Sequence, residues 1–316
     1  MKKMNFDLTI ASNALLCPNP ETWYSRAYLS PEDANNYRVI PGVKTSTKVA
    51  NVSFPSVLKA ETCDFSASAS ALSATTLSIC AVQFQVEICK KTIESSFVSK
   101  EMAKGSSNWN DITAFMGHYW DALSAEVAEE IEYIRWQGNT DTSSGSTGSG
   151  YTGTTAFKAL CDGYEKLLAA DSSVVDVTLT AITTSNVIAA MEAVLLATPA
   201  SIKSTKKSDV RLYVASNVFL AFQIAASKGN TMAYITELLG ANFGGIKVVE
   251  APGMSNNKMV FTRVANLVYL IDGENDATDL KAIDLSDTTA QPLLRTAGYI
   301  KIGFAIFNPS EIVYYN

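Results

Sequence analysis

The 316 residues carry 25 Lys and Arg against 31 Asp and Glu, a net charge of −6, and 18% of positions are charged. That balance offers no basic face for gripping nucleic acid through its phosphates, and the charged fraction falls below the roughly 25% of an ordinary soluble domain. Two readings account for so little charge: obligate association, whose interfaces resemble a domain core cut in half, or a β-rich monomer dressed in Ser and Thr.

The opening MKKMNFDLTIASNALLC imitates a lipoprotein signal, but Asp7, Ser12 and Asn13 interrupt its apolar patch. Leu16 also stands where a small residue is needed before Cys17, and a secretory signal requires a continuous apolar stretch. The best later apolar run, IAAMEAVLLATPA, is broken by Glu192 and Pro199, short of the ~18 residues of a membrane span. The chain is expected to be soluble and intracellular when made. Residues 1–36 show little periodicity but hold the anchors Trp23, Tyr24 and Tyr28, and read as an extended arm.

Residues 37–100 read as β-structure. In ICAVQFQVEICKKTI, Cys80, Val82, Phe84, Val86 and Ile88 alternate with Gln83, Gln85 and Glu87, the period of a strand with one apolar face. FSASASA, opening at Phe65, alternates too. A single strand from Leu77 to Ile93 would span about 55 Å at 3.3 Å per residue, far beyond ordinary strands of ~3–10 residues. Such a ribbon needs its apolar face covered by another part of an assembly. Phe65, Val82, Phe84, Val86 and Ile88, with Trp23, Tyr24 and Tyr28, are therefore candidates for contact between subunits.

Residues 108–137 predict one long helix, with Ile112, Phe115, Tyr119, Leu123, Val127, Ile131 and Ile134 at three- and four-residue steps. Asn108 with Asp111 marks its start and Gly138 its stop. GNTDTSSGSTGSGYTG (138–153) follows, with Gly148, Gly150 and Gly153 in the spacing G-x-G-x-x-G. A dinucleotide turn needs a hydrophobic strand directly before it; here a long helix and polar residues precede it, so the stretch reads as a linker. Residues 154–252 alternate helices (TAFKALCDGYEKLLAA, SNVIAAMEAVLLA, SNVFLAFQIAAS) with the strands VRLYVA and GIKVVEAPG, a mixed α/β pattern. Residues 258–316 return to strands: KMVFTRV, NLVYLID, LKAIDL and YIKIGFAIFNPSEIVYY.

Catalytic and metal chemistry finds little footing. The single histidine, His118, lies in the long helix with no second histidine to complete a ligand set. Glu126, Glu129, Glu130 and Glu132 lack the Glu-x-x-His spacing of di-metal bundles and read as a solvated face. No G-x-S-x-G elbow or phosphate-binding P-loop occurs. DGENDATDL begins like a calcium loop, but Ala277 and Ile283 occupy its glycine and glutamate positions. Lys203, Lys206 and Lys207 read as a solvated turn. Cys17, Cys63, Cys80, Cys89 and Cys161, odd in number and without C-x-x-C spacing, read as reduced thiols serving as small apolar side chains.

The order of arm, long β-ribbon, long helix, glycine-rich link, α/β domain and returning sheet resembles the major capsid proteins of tailed bacteriophages, the Hong Kong 97-type fold. RLYVASNVFLAFQ resembles that family's strand-then-helix of the axial domain, and GGIKVVEAPGM its short loop, V-V and proline turn. NLVYLIDGEND resembles its N-L-V-Y-G-T-D strand, with Leu270-Ile271 in place of Gly-Thr, and FAIFNPSEIVYYN its last peripheral strand. The resemblance implies an α+β fold in which 1–36 is the N-terminal arm, 37–100 contains the extended hairpin (E-loop), and 101–153 holds the spine helix and link. On the same terms 154–265 is the axial domain and 266–316 completes the peripheral sheet. It implies hexamers and pentamers closing an icosahedral shell around double-stranded DNA in a virion assembled in the host cytoplasm. Its partners would be copies of itself, a portal protein, and separate scaffolding or decoration proteins, with no membrane, cofactor, metal or catalysis. Some members cross-link a Lys to an Asn; Lys90 and Lys91 sit in the ribbon, but no acid pairs with them. An encapsulin-like compartment of the same fold, and a nucleotide-binding α/β enzyme using GSGYTG, are the alternatives.

Overall fold

The computed structural model of the chain describes residues 35–53, 58, 71–89, 112–141, 153–178, 180–228, 242–272, 280–285 and 293–316. Trp23, Tyr24, Tyr28, Phe65, Lys90, Lys91, Gly148 and Gly150 lie outside these residues. In chain order the strands are β1 (Arg38–Pro41), β2 (Thr47–Ser53), β3 (Ala71–Leu77), β4 (Cys80–Cys89), β5 (Val175–Val177), β6 (Val210–Ala215), β7 (Asn242–Phe243), β8 (Ile246–Ala251), β9 (Met259–Arg263), β10 (Leu267–Ile271), β11 (Lys281–Asp284), β12 (Leu293–Ile306) and β13 (Val313–Tyr315). The helices are α1 (Ile112–Gln137), α2 (Tyr164–Ala170), α3 (Val187–Leu196), α4 (Ala200–Lys203) and α5 (Ser216–Lys228).

β12 organises a five-stranded sheet. β4 runs antiparallel along one side of it, from Leu293 opposite Cys89 to Ile302 opposite Cys80. β10 and β11 pair with the two ends of its other side, and β1 adds to β10 in parallel. The alternation seen in the sequence now has a cause. Val82, Phe84 and Val86 face Leu123, Val127 and Ile131 of α1 across a groove of about 280 Å³, while Gln83, Gln85 and Glu87 point to solvent. Part of the cover assigned to an assembly thus comes from the chain's own helix, which at 26 residues is about 39 Å long.

The strand expected over 77–93 begins later: Leu77 closes β3, β4 starts at Cys80, and residues 90–93 lie outside the described residues. β3 pairs with β2 as a two-stranded ribbon that joins no other strand among the described residues. The chain then steps through Ser78 and Ile79 into β4. Leu77 is fully buried with Val43, Val268, Leu270 and Ala305, and this anchor turns the chain from one partner to the other. The crossing is tight: a Cβ on Gly303 would lie 2.4 Å from the Ser78 carbonyl oxygen, so only glycine lets the ribbon root lie flat on β12.

The second sheet has six strands in the order β5-β13-β9-β6-β8-β7. β6 and β8 are parallel, joined through α5, and β9 lies antiparallel to β6. α3 buries Val187, Met191 and Val194 at helical spacing, and α5 buries Val218, Ala221, Phe222 and Ala226. No helix among the described residues is long and apolar enough to cross a membrane. The last strand departs from expectation. β13 lies in this sheet, between β5 and β9, and not with β12, because the turn Pro309–Glu311 carries the chain across. The predicted helix over TAFKALCDGYEKLLAA is also divided, into a 3₁₀ turn at Gly153–Ala159 and α2. Between them Gly163 meets Gly138, whose carbonyl accepts its N–H at 2.8 Å; a Cβ on Gly138 would fall 2.3 Å from the Cys161 carbonyl.

The cysteines require a correction. Cys80 and Cys161, read as reduced thiols, form a disulfide with Cα atoms 5.8 Å apart. Their separation of 81 residues concealed the pair in the sequence, whereas folding brings the start of β4 beside the approach to α2. Closing a loop of that length stabilises by about 4 kcal/mol in the chain-entropy account. Reduction with dithiothreitol, or Cys80→Ser, should lower the urea midpoint by up to that equivalent, and unchanged unfolding would show that the bond carries no stability.

Candidate functional site

The groups that resemble catalytic machinery hold the fold together. Glu165 on α2 accepts the Ser255 N–H at 2.6 Å and Lys258 Nζ at 3.0 Å, and Lys258 in turn donates to the Tyr314 hydroxyl at 2.8 Å. This chain ties α2 to the turn before β9 and to β13. Burial, and then the Glu165 and Asp176 charges, push the Tyr314 phenol well above its ordinary range, so it stays a neutral acceptor. Asp272, first residue of the calcium-like run, is held by Lys301 at 2.7 Å. His118 is exposed on α1. Among the described residues no three His, Cys, Asp or Glu side chains gather as a metal site. Gly153 opens a 3₁₀ turn after a helix, not the strand-turn-helix of a nucleotide site.

The functional geometry lies in how the two sheets are held and in what their surfaces leave open. At the end of α1, Trp136 and Arg135 are buried between the sheets. The Arg135 guanidinium sits 4.7 Å from the Tyr37 ring centroid and 4.8 Å from that of Tyr269 on β10. Its Nη1 reaches Glu132 at 2.5 Å, and Glu132 also accepts the Trp136 indole N–H at 3.1 Å. Tyr37 stacks on Tyr213 of β6 at 5.4 Å, and the Tyr213 hydroxyl donates to the Asn36 carbonyl. Tyr164 of α2 meets Trp136 at 5.3 Å and donates to the Val268 carbonyl at 2.9 Å. Sequence periodicity finds Val127, Ile131 and Ile134; Arg135, four residues after Ile131, shares their face but is charged, and only the rings from other elements make it part of the core.

Outside this joint the described residues leave several surfaces open. On the outer face of the five-stranded sheet Ile283 and Tyr299 are 53% and 50% exposed, beside the Arg295–Glu87 ion pair and Lys281. β4 has an unpaired edge among the described residues. Val82, Phe84, Val86 and Ile88 are half-buried, which leaves part of each accessible. Arg38, Arg211 and Arg263 line a hollow of about 550 Å³, and Glu126, Glu129 and Glu130 crowd one stretch of α1. Sequence reading missed the hollow because its arginines come from β1, β6 and β9.

No family model matches the chain, and no curated protein is similar to it in sequence. Solved structures do match along nearly the whole length. A chain of the satellite phage P4 procapsid aligns with a TM-score of 0.56 at 11% identity, covering 92% of this chain and 96% of that one. The capsid of Myoviridae phage XM1 aligns at 0.54 and 11%, covering 89% and 90%. The virus-like particle from Pyrococcus furiosus aligns at 0.51 and 12%, covering 96% and 98%. The chain therefore has the fold of phage capsid subunits, as its sequence order implied.

Removing the Arg135 charge while keeping a polar group, Arg135→Gln, leaves Glu132 unpaired and the rings unfilled, and should cost about 3 kcal/mol in urea unfolding. A change below 1 kcal/mol would remove the joint from its central role. Burial, and then the Glu132 charge, hold the Tyr37 phenol above its ordinary 10.0; burial does the same to Tyr164. The unfolded chain releases these protons first, so stability present below pH 10 should fall as pH rises past it. Circular dichroism across an alkaline titration checks the sign.

Proposed function

We propose that this chain is the structural subunit of an icosahedral phage shell, assembling with copies of itself around packaged double-stranded DNA. The observation that carries the reading is the end-to-end match to capsid structures, with more than nine-tenths of both this chain and the P4 procapsid chain aligned. On this reading α1 is the spine helix of the peripheral domain, β2 and β3 form the root of the E-loop, and the six-stranded sheet with α3 and α5 is the axial domain. The exposed Ile283 and Tyr299, the open edge of β4 and the accessible parts of Val82, Phe84, Val86 and Ile88 are surfaces for neighbouring subunits. Phe65, Trp23, Tyr24 and Tyr28 are proposed to add to them. Portal and scaffolding partners follow from the same reading.

A second reading, a protein-filled compartment without a genome, is favoured by the match to the Pyrococcus furiosus virus-like particle. Both readings expect the purified protein to migrate as particles of megadalton size and to appear as shells in negative stain. A stable 34.0 kDa monomer at high concentration would refute both. Nucleic acid inside particles from an infected host separates the first reading from the second.

The ribbon offers a sharper check. Replacing residues 48–76 with a short Gly/Ser link spares β4 and the disulfide, so the subunit should still fold, yet shell yield should drop at least tenfold. Shells of normal yield would remove the ribbon from assembly.

A further inference from the structure

The arginine hollow gathers positive charge on a chain whose net charge is −6. Three guanidinium groups line it against one carboxylate, that of Asp209. They are held in place mainly by neutral partners. Arg211 Nη1 donates to the carbonyls of Ser208 at 2.5 Å and Val210 at 2.9 Å. Arg263 Nη2 donates to the Ser201 carbonyl at 2.9 Å, with Glu311 at 3.3 Å. Arg38 is exposed and rests on the Phe307 ring at 4.9 Å. Among the described residues neither Arg38 nor Arg211 has an ion-pair partner. Fixed guanidinium forks of this kind suit carboxylates, which they bind through paired hydrogen bonds.

The complementary surface is on the same chain. Glu126 and Glu129 are exposed on α1 and Glu130 is half-buried, at the three- and four-residue spacing that places like charges side by side. No described cation pairs with them. Burial, and then the Glu126 and Glu129 charges, hold the Glu130 carboxyl above its ordinary value, so the ridge is under electrostatic stress that a cationic cover would relieve.

We propose that hollow and ridge are two halves of one heterologous contact, in which the Glu126–Glu129–Glu130 ridge of one copy seats against Arg38, Arg211 and Arg263 of the next. This rests on the shell reading, and it gives that reading a direction: two different patches meeting head to tail generate rings when the rotation closes.

Charge reversal tests it. R38E/R211E and E126R/E129R should each reduce particle yield at least tenfold at physiological salt, while the quadruple variant, with both halves reversed, restores it. Thermal melts matching wild type show that each subunit folds. If R38E/R211E does not fold, R38E, a change at an exposed side chain, carries the same comparison with E126R. Normal shells from either reversed variant, or no rescue in folded quadruple variant, overturn the contact. Normal shells of R38E/R211E that lose only their nucleic acid also overturn it and assign the hollow to phosphates. Wild-type protein that forms no shells refutes the shell reading itself, not the pairing of these patches.

Discussion

A single buried guanidinium fixes the relation of the two sheets. Arg135 lies between the rings of Tyr37 and Tyr269, with Glu132 as its counter-charge. Taking a charge out of water costs several kcal/mol, and the cost is met by ring faces on two sides and a carboxylate that is itself anchored by Trp136. Because Tyr37 precedes β1, Tyr269 lies on β10, Tyr213 on β6 and Tyr164 on α2, the arrangement exists only when α1, α2 and both sheets are in place together. The joint therefore acts as a check on assembly of the subunit: an incomplete fold leaves a desolvated cation without its rings.

Much of the secondary structure was legible in the residues because periodicity records burial. α1, α3, α5, β6, β8, β9, β10 and the alternation of β4 follow directly from which side chains must avoid water. What escaped was whatever depends on a partner distant in sequence. The step from β3 to β4 shifts the inward side chains from Thr75, Leu77 and Ile79 to Cys80, Val82 and Phe84, a change of parity whose cause, the close pass of Ser78 over Gly303, lies far along the chain. β13 reads as a continuation of β12 until the Pro309 turn sends it to the other sheet. Cys80 and Cys161 look like any small apolar residues until β4 and the approach to α2 are neighbours.

The surfaces follow the same division. Apolar candidates on β4 were visible as a pattern, and the helix α1 covers part of that pattern within the chain. The arginine hollow was invisible because its three members belong to three strands, and composition averages it into a net negative charge. A surface that recognises a partner is assembled by topology, so its charge is a property of the fold and not of any stretch of sequence.

The ribbon root gives the molecule a mechanical character. β2 and β3 extend seven residues each, about 23 Å at 3.3 Å per residue, and their base is pinned where Ser78 crosses Gly303. A pivot with so little clearance is a fulcrum. Rotation of about 10° there displaces the end of the strands by roughly 4 Å over that length, while the sheet beneath hardly moves. The bond between Cys80 and Cys161 braces the short arm of this lever, since Cys80 begins where the crossing ends. A small rotation at the base of the strands is thereby converted into a larger displacement where they end.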